Sequence, residues 1–417
     1  MTKSIEPEFG LYVHIPFCEK KCIYCDFYSI ERMDHKEVFV SMLKKEIYHR
    51  KQEAIGKTAT SVFFGGGTPS LMSVEQMNTI IQALKESYEI HPNAEWTMEC
   101  NPGTISEESL KGYRELGINR LSFGIQSFHK HELDFLHRIH TPEEAEEAIH
   151  IARNVGFDNI NIDIIFALPN QTMESWKETV RRAIALNTEH ISAYSLIFEE
   201  KTPLFTMLQK GEVHQSDEHN DADMYEYVIA TLQKAGYHQY EVSNFAKPGK
   251  SCSHNRTYWL AKEYLAFGPS AHGYVNNERY WNYRNLMRYL ESVQKTGSGK
   301  ANSEILTLEN RLFEAAFLSF RAQGISISRF LQEFSVDLLA ALGGKLELWL
   351  QEKLVQIVEI EGDRMIALTP LGYSVCDELS LQLIEKLEFA TGNSWEQSGY
   401  EESEEQESTV DFPLDIL

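Results

Sequence analysis

The chain has 417 residues, 42% of them apolar and 24% charged, with 62 acidic residues against 39 basic ones. That length predicts one large domain with a smaller one beside it, and the apolar fraction excludes a wholly disordered chain. The net charge of −23 argues against nucleic acid as a general partner, because phosphate binding needs a basic surface.

Targeting and redox signals favour a cytoplasmic protein. No apolar run reaches the roughly 18 residues of a bilayer span, and residues 1–9 lack the apolar segment of a signal peptide. Net acidity also disfavours contact with an anionic bilayer surface. The six cysteines are too few for a disulfide framework, and three of them fall within eight positions. This crowding predicts metal ligands in a reducing compartment.

From residue 10 to about 200, short β-rich runs alternate with amphipathic stretches. Six such alternations predict an α/β fold with a parallel sheet, open or curled into a barrel, with ligands at the carboxyl ends of its strands. The predicted strands are Leu11–Ile15, Ser61–Phe64, Glu95–Glu99, Arg120–Ile125, Ile160–Phe166 and His190–Ile197. The predicted helices are Lys36–Arg50, Val74–Tyr88, Glu107–Leu116, Pro142–Val155 and Ser175–Leu186.

Changes of pattern divide the chain into four regions. Residues 1–235 carry the strand–helix alternation, and residues 236–305, rich in Tyr, His, Trp and Asn, are predicted to be a connecting segment. Residues 306–385 are predicted to form a smaller C-terminal α+β domain that resembles a winged helix. Residues 386–417 are acidic, with eight acids and no Lys or Arg from residue 391 onward, and we predict a disordered tail there.

The winged-helix pattern consists of three helices and a hairpin. The helix before the hairpin offers only Lys345 and Lys353 as cations, so a lid or packing role is favoured over DNA reading. The predicted helices are Leu308–Arg321, Ile327–Phe334 and Val336–Lys353, and the hairpin strands are Val355–Ile360 and Arg364–Leu368.

Directly after the first predicted strand, Cys18, Cys22 and Cys25 form the pattern C-x3-C-x2-C. A structural zinc site closes with four ligands, and no second cysteine or histidine pair is present to complete one. A four-iron cluster normally takes four thiolates. Three thiolates would leave one iron open to a substrate or cofactor, so the spacing favours a [4Fe-4S] cluster.

The segment from Tyr12 to Cys25 resembles the start of the radical S-adenosylmethionine (SAM) enzymes, and more narrowly of the oxygen-independent coproporphyrinogen III oxidase-like family. The resemblance covers roughly residues 8–385 and implies a partial (β/α)6 barrel. It also implies that Cys18, Cys22 and Cys25 bind a [4Fe-4S] cluster whose open iron is chelated by SAM. In that family an electron donor reduces the cluster, and SAM is then cleaved to a 5′-deoxyadenosyl radical.

Further polar or glycine residues follow the ends of predicted strands. A buried carboxylate is costly unless it is paired or faces a cavity, and an internal salt bridge or helix cap would explain each one alone. Three adjacent glycines at residues 65–67 let the backbone approach a ligand closely, although a tight strand–helix turn would also use them. The resemblance implies that SAM contacts Tyr12, Tyr24, Gly66, Gly67, Thr68, Glu99, Gln126, Arg138 and Asp163.

Two departures place the chain in the heme-chaperone branch of the family. The oxidases carry a fourth cysteine where this chain has Phe27, and an N-terminal extension for which we expect no room here. The heme-chaperone branch carries H-N-x-x-Y-W, present at residues 254–259. The resemblance implies heme transfer to respiratory apoproteins.

Within that motif, His254 is the predicted axial heme ligand, and Tyr258 and Trp259 the flat faces against the macrocycle. Cys252 and His272 are alternative axial ligands, and Arg256 is a candidate partner for a propionate. Two other functions stay open: oxidative decarboxylation of coproporphyrinogen III, and a cluster with only a structural or electron-transfer role.

Overall fold

The six predicted strands lie side by side in one parallel sheet. In the computed structural model, which describes residues 7–360 and 362–393, each strand pairs with the next in chain order. The first three start earlier than predicted. The strands are β1 (Glu8–Ile15), β2 (Thr58–Gly66), β3 (Glu89–Cys100), β4 (Arg120–Gln126), β5 (Ile160–Phe166) and β6 (His190–Ser195).

Helices connect these strands and cover the outside of the sheet. The helix from Pro142 begins as its sequence predicts: Thr141 Oγ1 accepts from Glu144 N at 3.2 Å, and the Glu144 carboxylate accepts from Thr141 N at 2.7 Å. Gly156 ends it in the left-handed region, with φ 100°. The helices are α1 (Lys36–His49), α2 (Val74–Ser87), α3 (Glu107–Leu116), α4 (Lys130–Phe135), α5 (Pro142–Val155), α6 (Met173–Ala185), α7 (Pro203–Gln209) and α8 (Glu218–Lys234).

Residues 236–305 extend the same sheet at both of its ends, instead of only connecting two domains. One strand of this segment pairs antiparallel with β6, and another pairs parallel with β1 on the far side. The strands are β7 (His238–Gln239), β8 (Asn244–Ala246), β9 (Tyr264–Phe267), β10 (His272–Val275), β11 (Glu278–Asn282) and β12 (Lys300–Ile305), and the helices are α9 (Ser253–Trp259) and α10 (Leu286–Thr296).

The fold is therefore α/β, a partial (β/α)6 barrel whose sheet has the order β12-β11-β10-β9-β1-β2-β3-β4-β5-β6-β8-β7. The face of its central strands that the helices cover is apolar, whereas the inward face carries the polar side chains of a cavity. Fully buried examples on the apolar face are Leu11, Val13, Val62, Phe64 and Met98. The carboxyl ends of β1 to β6 meet at one edge of this curved sheet, where the polar residues predicted from the sequence lie.

The smaller C-terminal domain combines helices with a three-stranded sheet of order β13-β15-β14. The predicted hairpin is present and pairs antiparallel from Val355 to Leu368. Phe320 and Trp349 stack in its core, with ring centroids 5.8 Å apart. Its elements are α11 (Leu308–Phe320), β13 (Ile325–Ser326), α12 (Ile327–Phe334), α13 (Leu338–Leu342), α14 (Gly344–Gln351), β14 (Val355–Ile360), β15 (Asp363–Leu368), α15 (Pro370–Tyr373) and α16 (Cys376–Thr391).

Two expectations about this region are wrong. The single helix predicted from Val336 to Lys353 is broken into α13 and α14, because Gly343 takes φ 49° and ψ −132°, which side chains with a Cβ disfavour. The predicted tail starts too early, since α16 continues to Thr391 and buries Leu383 and Leu387. The rest of the predicted acidic tail, residues 394–417, lies outside the described residues.

None of the helices within the described residues combines the length and the apolar character needed to cross a membrane.

A buried carboxylate fastens the added strands to the barrel. Glu46 on α1 has no exposed surface, and Arg50 lies one turn later, with 3.9 Å between their charged atoms. Its two oxygens accept four hydrogen bonds of 2.8 to 3.0 Å, all from the segment 268–299, donated by Gly268 N, Asn282 Nδ2, Tyr289 OH and Gly299 N. A one-residue change at this position therefore affects the whole attachment of β9 to β12.

We expect Glu46→Ala to lower the free energy of unfolding by about 3–5 kcal/mol, because Arg50 and four donors lose their buried acceptor. Urea unfolding followed by circular dichroism measures this change. The control is Glu107→Ala, which removes an exposed ion pair to Lys111 and should leave the unfolding midpoint in place. A Glu46→Ala midpoint equal to that of the control would contradict the role given to Glu46.

Candidate functional site

The three predicted cluster cysteines lie on one loop at the carboxyl end of β1. Cys18 N donates to Ile30 O at 3.0 Å and Ile30 N donates to Pro16 O at 2.7 Å, so backbone hydrogen bonds close the base of the loop. Within it, Cys25 N donates to Cys22 O at 3.4 Å. All three thiols are free and partly exposed, so the loop presents them together.

The chemistry of these thiols fits a cluster better than a single ion. Burial raises the pKa of Cys25 to about 12 and also raises that of Cys18, so iron binding must release their protons. In the part of the chain that the structure describes, no three His, Cys, Asp or Glu side chains surround one ion position. In a four-iron cluster each cysteine binds a different iron, so three thiolates leave one iron open to a cofactor.

The glycine run after β2 holds the cysteine loop in place. Gly67 N donates to Ile15 O at 2.8 Å and Thr68 N donates to Phe17 O at 2.7 Å. A Cβ added to Gly67 would lie 2.7 Å from Phe17 O, and one added to Gly66, at φ 105°, would lie 2.5 Å from the His14 ring. Both positions therefore require glycine, for close backbone approach and for a left-handed turn.

Two carboxylates at the strand ends are buried around the same space. Burial, together with the nearby Asp163, raises the pKa of Glu99 to about 8, although Glu99 Oε2 accepts from Gly66 N at 3.1 Å. Burial also raises the pKa of Asp163, whose oxygens accept from Asn161 Nδ2 at 2.7 Å and from Ser122 Oγ at 3.4 Å. Both acids therefore lie where a cationic or hydroxyl-bearing ligand would be their natural partner.

Arg138 links the cysteine loop to the strand ends. Its Nη1 donates to Cys22 Sγ at 3.5 Å, and its Nη2 donates to Gly124 O at 2.5 Å and to Asn101 Oδ1. Its Nε is buried without a partner among the described residues. Asn101, whose Nδ2 donates to Thr68 Oγ1 at 3.3 Å, was missed from the sequence. Asn101 directly follows β3, and this position at a strand end is the sequence feature from which it could have been predicted.

These side chains line one cavity of about 730 Å³, a size within the roughly 300–1,000 Å³ usual for cofactor sites. Gln126 faces it from a left-handed backbone conformation, φ 69°, at the irregular end of β4. Cys18, Cys22 and Cys25 line the same cavity. The structure therefore brings together every residue predicted for SAM: Tyr12, Tyr24, Gly66, Gly67, Thr68, Glu99, Gln126, Arg138 and Asp163.

His254 borders this cavity with both ring nitrogens already hydrogen-bonded. Its Nδ1 lies 2.9 Å from Ser61 Oγ, and its Nε2 lies 2.8 Å from Tyr258 OH. The ring stacks on Phe63 at 5.2 Å and is 1% exposed. Burial lowers the pKa of His254 to about 3, so the imidazole is neutral. In this conformation both nitrogens of the predicted axial ligand are engaged in hydrogen bonds within the protein.

Of the other residues of the predicted heme motif, Asn255 and Tyr258 line the same cavity, whereas Trp259, Arg256 and the neighbouring Cys252 do not. Trp259 is 4% exposed and lines a separate pocket of about 70 Å³ against α11 and α12. Cys252 is fully buried, and its Sγ donates to Glu95 Oε1 at 3.4 Å. Arg256 Nη2 donates to Gln323 Oε1 at 3.3 Å, toward the C-terminal domain. Trp259 therefore lies away from the cavity that His254 and Tyr258 line, and the heme role of these three residues stays a prediction.

His272, by contrast, lines the main cavity. It is the first residue of β10, opposite Trp281 of β11, and the two rings stack at 6.3 Å and 24°. Burial and the nearby Arg279, His14 and Arg284 lower the pKa of His272 to about 4, so its ring is neutral. The cavity is also lined by cationic residues that were not predicted as site residues, among them Lys20, Lys21, Arg284 and Arg288.

Comparison with known proteins places this fold and site in a class. The family model of the Radical SAM superfamily matches residues 12–183, and the model of the HemN C-terminal domain matches residues 306–374. The solved structure of coproporphyrinogen III oxidase (HemN) from Escherichia coli has a TM-score of 0.77 and 24% identity, covering 91% of this chain and 90% of that one. The protein is thus a radical SAM protein with a HemN-type fold.

Curated relatives narrow this class to a family. Heme chaperone HemW of Bacillus subtilis (strain 168) is 37% identical over 334 residues, which are 78% of this chain and 87% of the relative. Heme chaperone HemW of Escherichia coli (strain K12) is 36% identical over 324 residues, 74% of this chain and 84% of that relative. The chain belongs to the HemW family, and the branch predicted from Phe27 and from residues 254–259 is confirmed.

We expect Gly67→Ala to impair cluster assembly, because the new methyl group would collide with the backbone oxygens of Phe17 and Ile15, at 2.7 and 2.9 Å. The measurement is iron and sulfide content per chain after anaerobic reconstitution. The matched control is Gly103→Ala, where the nearest atom to the added Cβ is 4.0 Å away. Equal iron content in the two variants would show that the loop tolerates the displacement.

Proposed function

We propose that this protein binds a [4Fe-4S] cluster and SAM in its barrel cavity, binds heme, and transfers the heme to an apoprotein of the respiratory chain. The carrying observation is the convergence of Cys18, Cys22 and Cys25 with Glu99 and Arg138 on one cavity. The name heme chaperone, given to relatives that are 33–39% identical, supports the heme part.

Each group of residues has a distinct task in this proposal. The three cysteines hold the cluster, and Gly66 and Gly67 bring backbone close to SAM. Arg138, which donates to Cys22 Sγ, also meets the methionine carboxylate as a charged hydrogen-bond donor. When bound, the cluster and SAM supply one-electron chemistry that belongs to the cofactor pair.

The proposal also names partners and a compartment. An apoprotein accepts the heme, and an electron donor is required if SAM is cleaved. All six cysteines are free, which suits the reducing cytoplasm. Decarboxylation of coproporphyrinogen III is the competing outcome, and Phe27, 40% exposed at the position where the oxidases carry a further cysteine, speaks against it.

We expect Cys22→Ala to abolish the broad visible absorption of the reconstituted cluster, because the remaining thiolates would hold only two irons. Wild type should bind one heme per chain anaerobically and pass it to an apo heme protein separated by affinity capture. Coproporphyrinogen III, SAM and reductant, incubated with the same preparation, should give no decarboxylated product. Turnover without heme transfer would establish the oxidase reading instead.

We expect SAM binding to strengthen between pH 6 and 9 and Glu99→Gln to lose part of that dependence. The pKa of Glu99 is about 8, so its carboxylate becomes charged over this range and attracts the sulfonium cation. Isothermal titration of cluster-loaded protein at several pH values measures the affinity. The comparison with Glu99→Gln isolates this contribution, because other titrating groups remain in both proteins. Identical pH profiles would place Glu99 away from SAM.

A further inference from the structure

The outer wall of the main cavity combines an imidazole with a group of cations. His272 stands on this wall and is held by the Trp281 ring beside it. Among the described residues no hydrogen-bond partner is found for its ring nitrogens. His272 therefore lines the cavity from a strand position, with one face of its ring against the Trp281 indole.

Four cations share the mouth of this cavity. Lys20 and Lys21 come from the cysteine loop, and Arg284 and Arg288 come from the turn between β11 and α10 and the start of α10. Arg284 Nη2 donates to Asp26 O at 3.0 Å and lies 3.4 Å from Asp26 Oδ1, which joins the two sides of the mouth and leaves Lys20, Lys21 and Arg288 in excess over that one acid. In a chain with a net charge of −23, such a grouping marks a place where an anionic ligand is favoured.

The two candidate histidines differ in what iron binding would require. His254 would have to break its hydrogen bonds to Ser61 and Tyr258 and leave its stack on Phe63. Breaking two buried hydrogen bonds leaves unsatisfied groups, at a cost of about 1–3 kcal/mol each. His272 has no such bonds to break.

We propose that heme binds in the outer part of the main cavity, with its iron on His272 and its propionates toward Arg284 and Arg288. This assignment rests on the proposed function, since it places the heme which that function requires. An imidazole is a common heme ligand, and guanidinium groups are well suited to carboxylates. His254 and Tyr258 then support the cavity from behind without contacting the iron.

The test is an anaerobic titration of the full-length, cluster-loaded protein with heme, followed by the Soret band, for wild type, His272→Ala, His272→Gln and His254→Ala. Both His272 variants should shift the Soret band and raise the Kd roughly tenfold or more, since even loss of a supporting group around a metal ligand costs about 10–100-fold in affinity. Added imidazole should restore the wild-type band in His272→Ala, and cluster content and SAM binding should stay unchanged in both variants.

The outcomes separate this inference from the proposed function. A wild-type Soret band in both His272 variants, with the loss confined to His254→Ala, overturns the inference and leaves the heme chaperone function standing. No saturable heme binding by wild type overturns both. Loss of the band in His272→Ala without rescue by imidazole, and with an unchanged band in His272→Gln, also overturns the assignment, because packing and not coordination would then explain the loss.

A second variant tests the propionate contacts. Arg288→Ala should weaken heme binding by about two- to fivefold, the range of a partly exposed ion pair, and should leave the binding of heme dimethyl ester unchanged. The control is Arg181→Ala on the outer helix α6, whose guanidinium pairs with Glu178 at the surface. Equal weakening of heme and its dimethyl ester in Arg288→Ala would place the propionates elsewhere.

Discussion

The structure depends on how charged side chains are accommodated away from water at one edge of its sheet. Parallel strands end together, so Glu99 on β3 and Asp163 on β5 are buried within one cavity, with Arg138 beside them. Burying an ionised group costs several kcal/mol unless a partner replaces the lost water. Asp163 accepts from Asn161 and Ser122 and Arg138 donates to Asn101 and Gly124, whereas Glu99 accepts only from Gly66 N among the hydrogen bonds described. A cationic ligand would give Glu99 a further partner.

The same edge of the sheet also restricts the backbone after β1 and β2. The cysteine loop can lie over the cavity only if β1 and β2 approach each other closely beyond their paired residues, and Gly67 permits that approach. Arg138 then reaches the loop from the opposite side, through Cys22. Hydrogen bonds therefore join the cysteine loop to both the glycine run and Arg138. The residues so bonded are far apart in sequence: Thr68 and Cys18 by 50 residues, and Arg138 and Cys22 by 116.

Helix α9 joins the barrel to the C-terminal domain through hydrogen bonds at both of its ends. Glu95 Oε1 accepts from Ser253 N at 2.9 Å and from His254 N at 3.4 Å, so a carboxylate satisfies the first amides of the helix. At the other end Ser319 Oγ donates to Trp259 O at 3.4 Å, which joins α9 to the C-terminal domain. The motif thus connects three parts of the molecule, and that role alone explains its buried aromatic residues.

Much of the barrel could be predicted from the sequence, because its signals are local. β5 (Ile160–Phe166) alternates apolar with polar residues over its first four positions and ends in three apolar ones, and α5 carries its own cap at Thr141. The strands of residues 236–305 could not, since their pairing partners, β1 and β6, lie up to about 250 residues away and their sequences lack alternation. The split of Val336–Lys353 depended on one glycine conformation.

The geometry of a helix explains how the residues of the heme motif are arranged. Residues 254 and 258 are one turn apart, so they share a face of α9, and the structure joins them by a hydrogen bond. Residue 259 is turned by a further 100° or so and must face elsewhere. A flat macrocycle could not contact all three side chains while the segment stayed helical. The spacing of the three residues on a helix therefore explains why Trp259 faces away from the side shared by His254 and Tyr258.

In the proposed function the protein must both bind heme and release it to an acceptor. These two requirements favour a heme site near the mouth of the cavity over one at its back. A ligand on His254 would be enclosed by Phe63, Tyr12 and α9, and each transfer would require that packing to open and close again. His272 lines the cavity together with the exposed Arg288, so release of the proposed heme from His272 would not require the packing around His254 to open. A single axial ligand would leave the second face of the iron open to an acceptor in the proposed transfer.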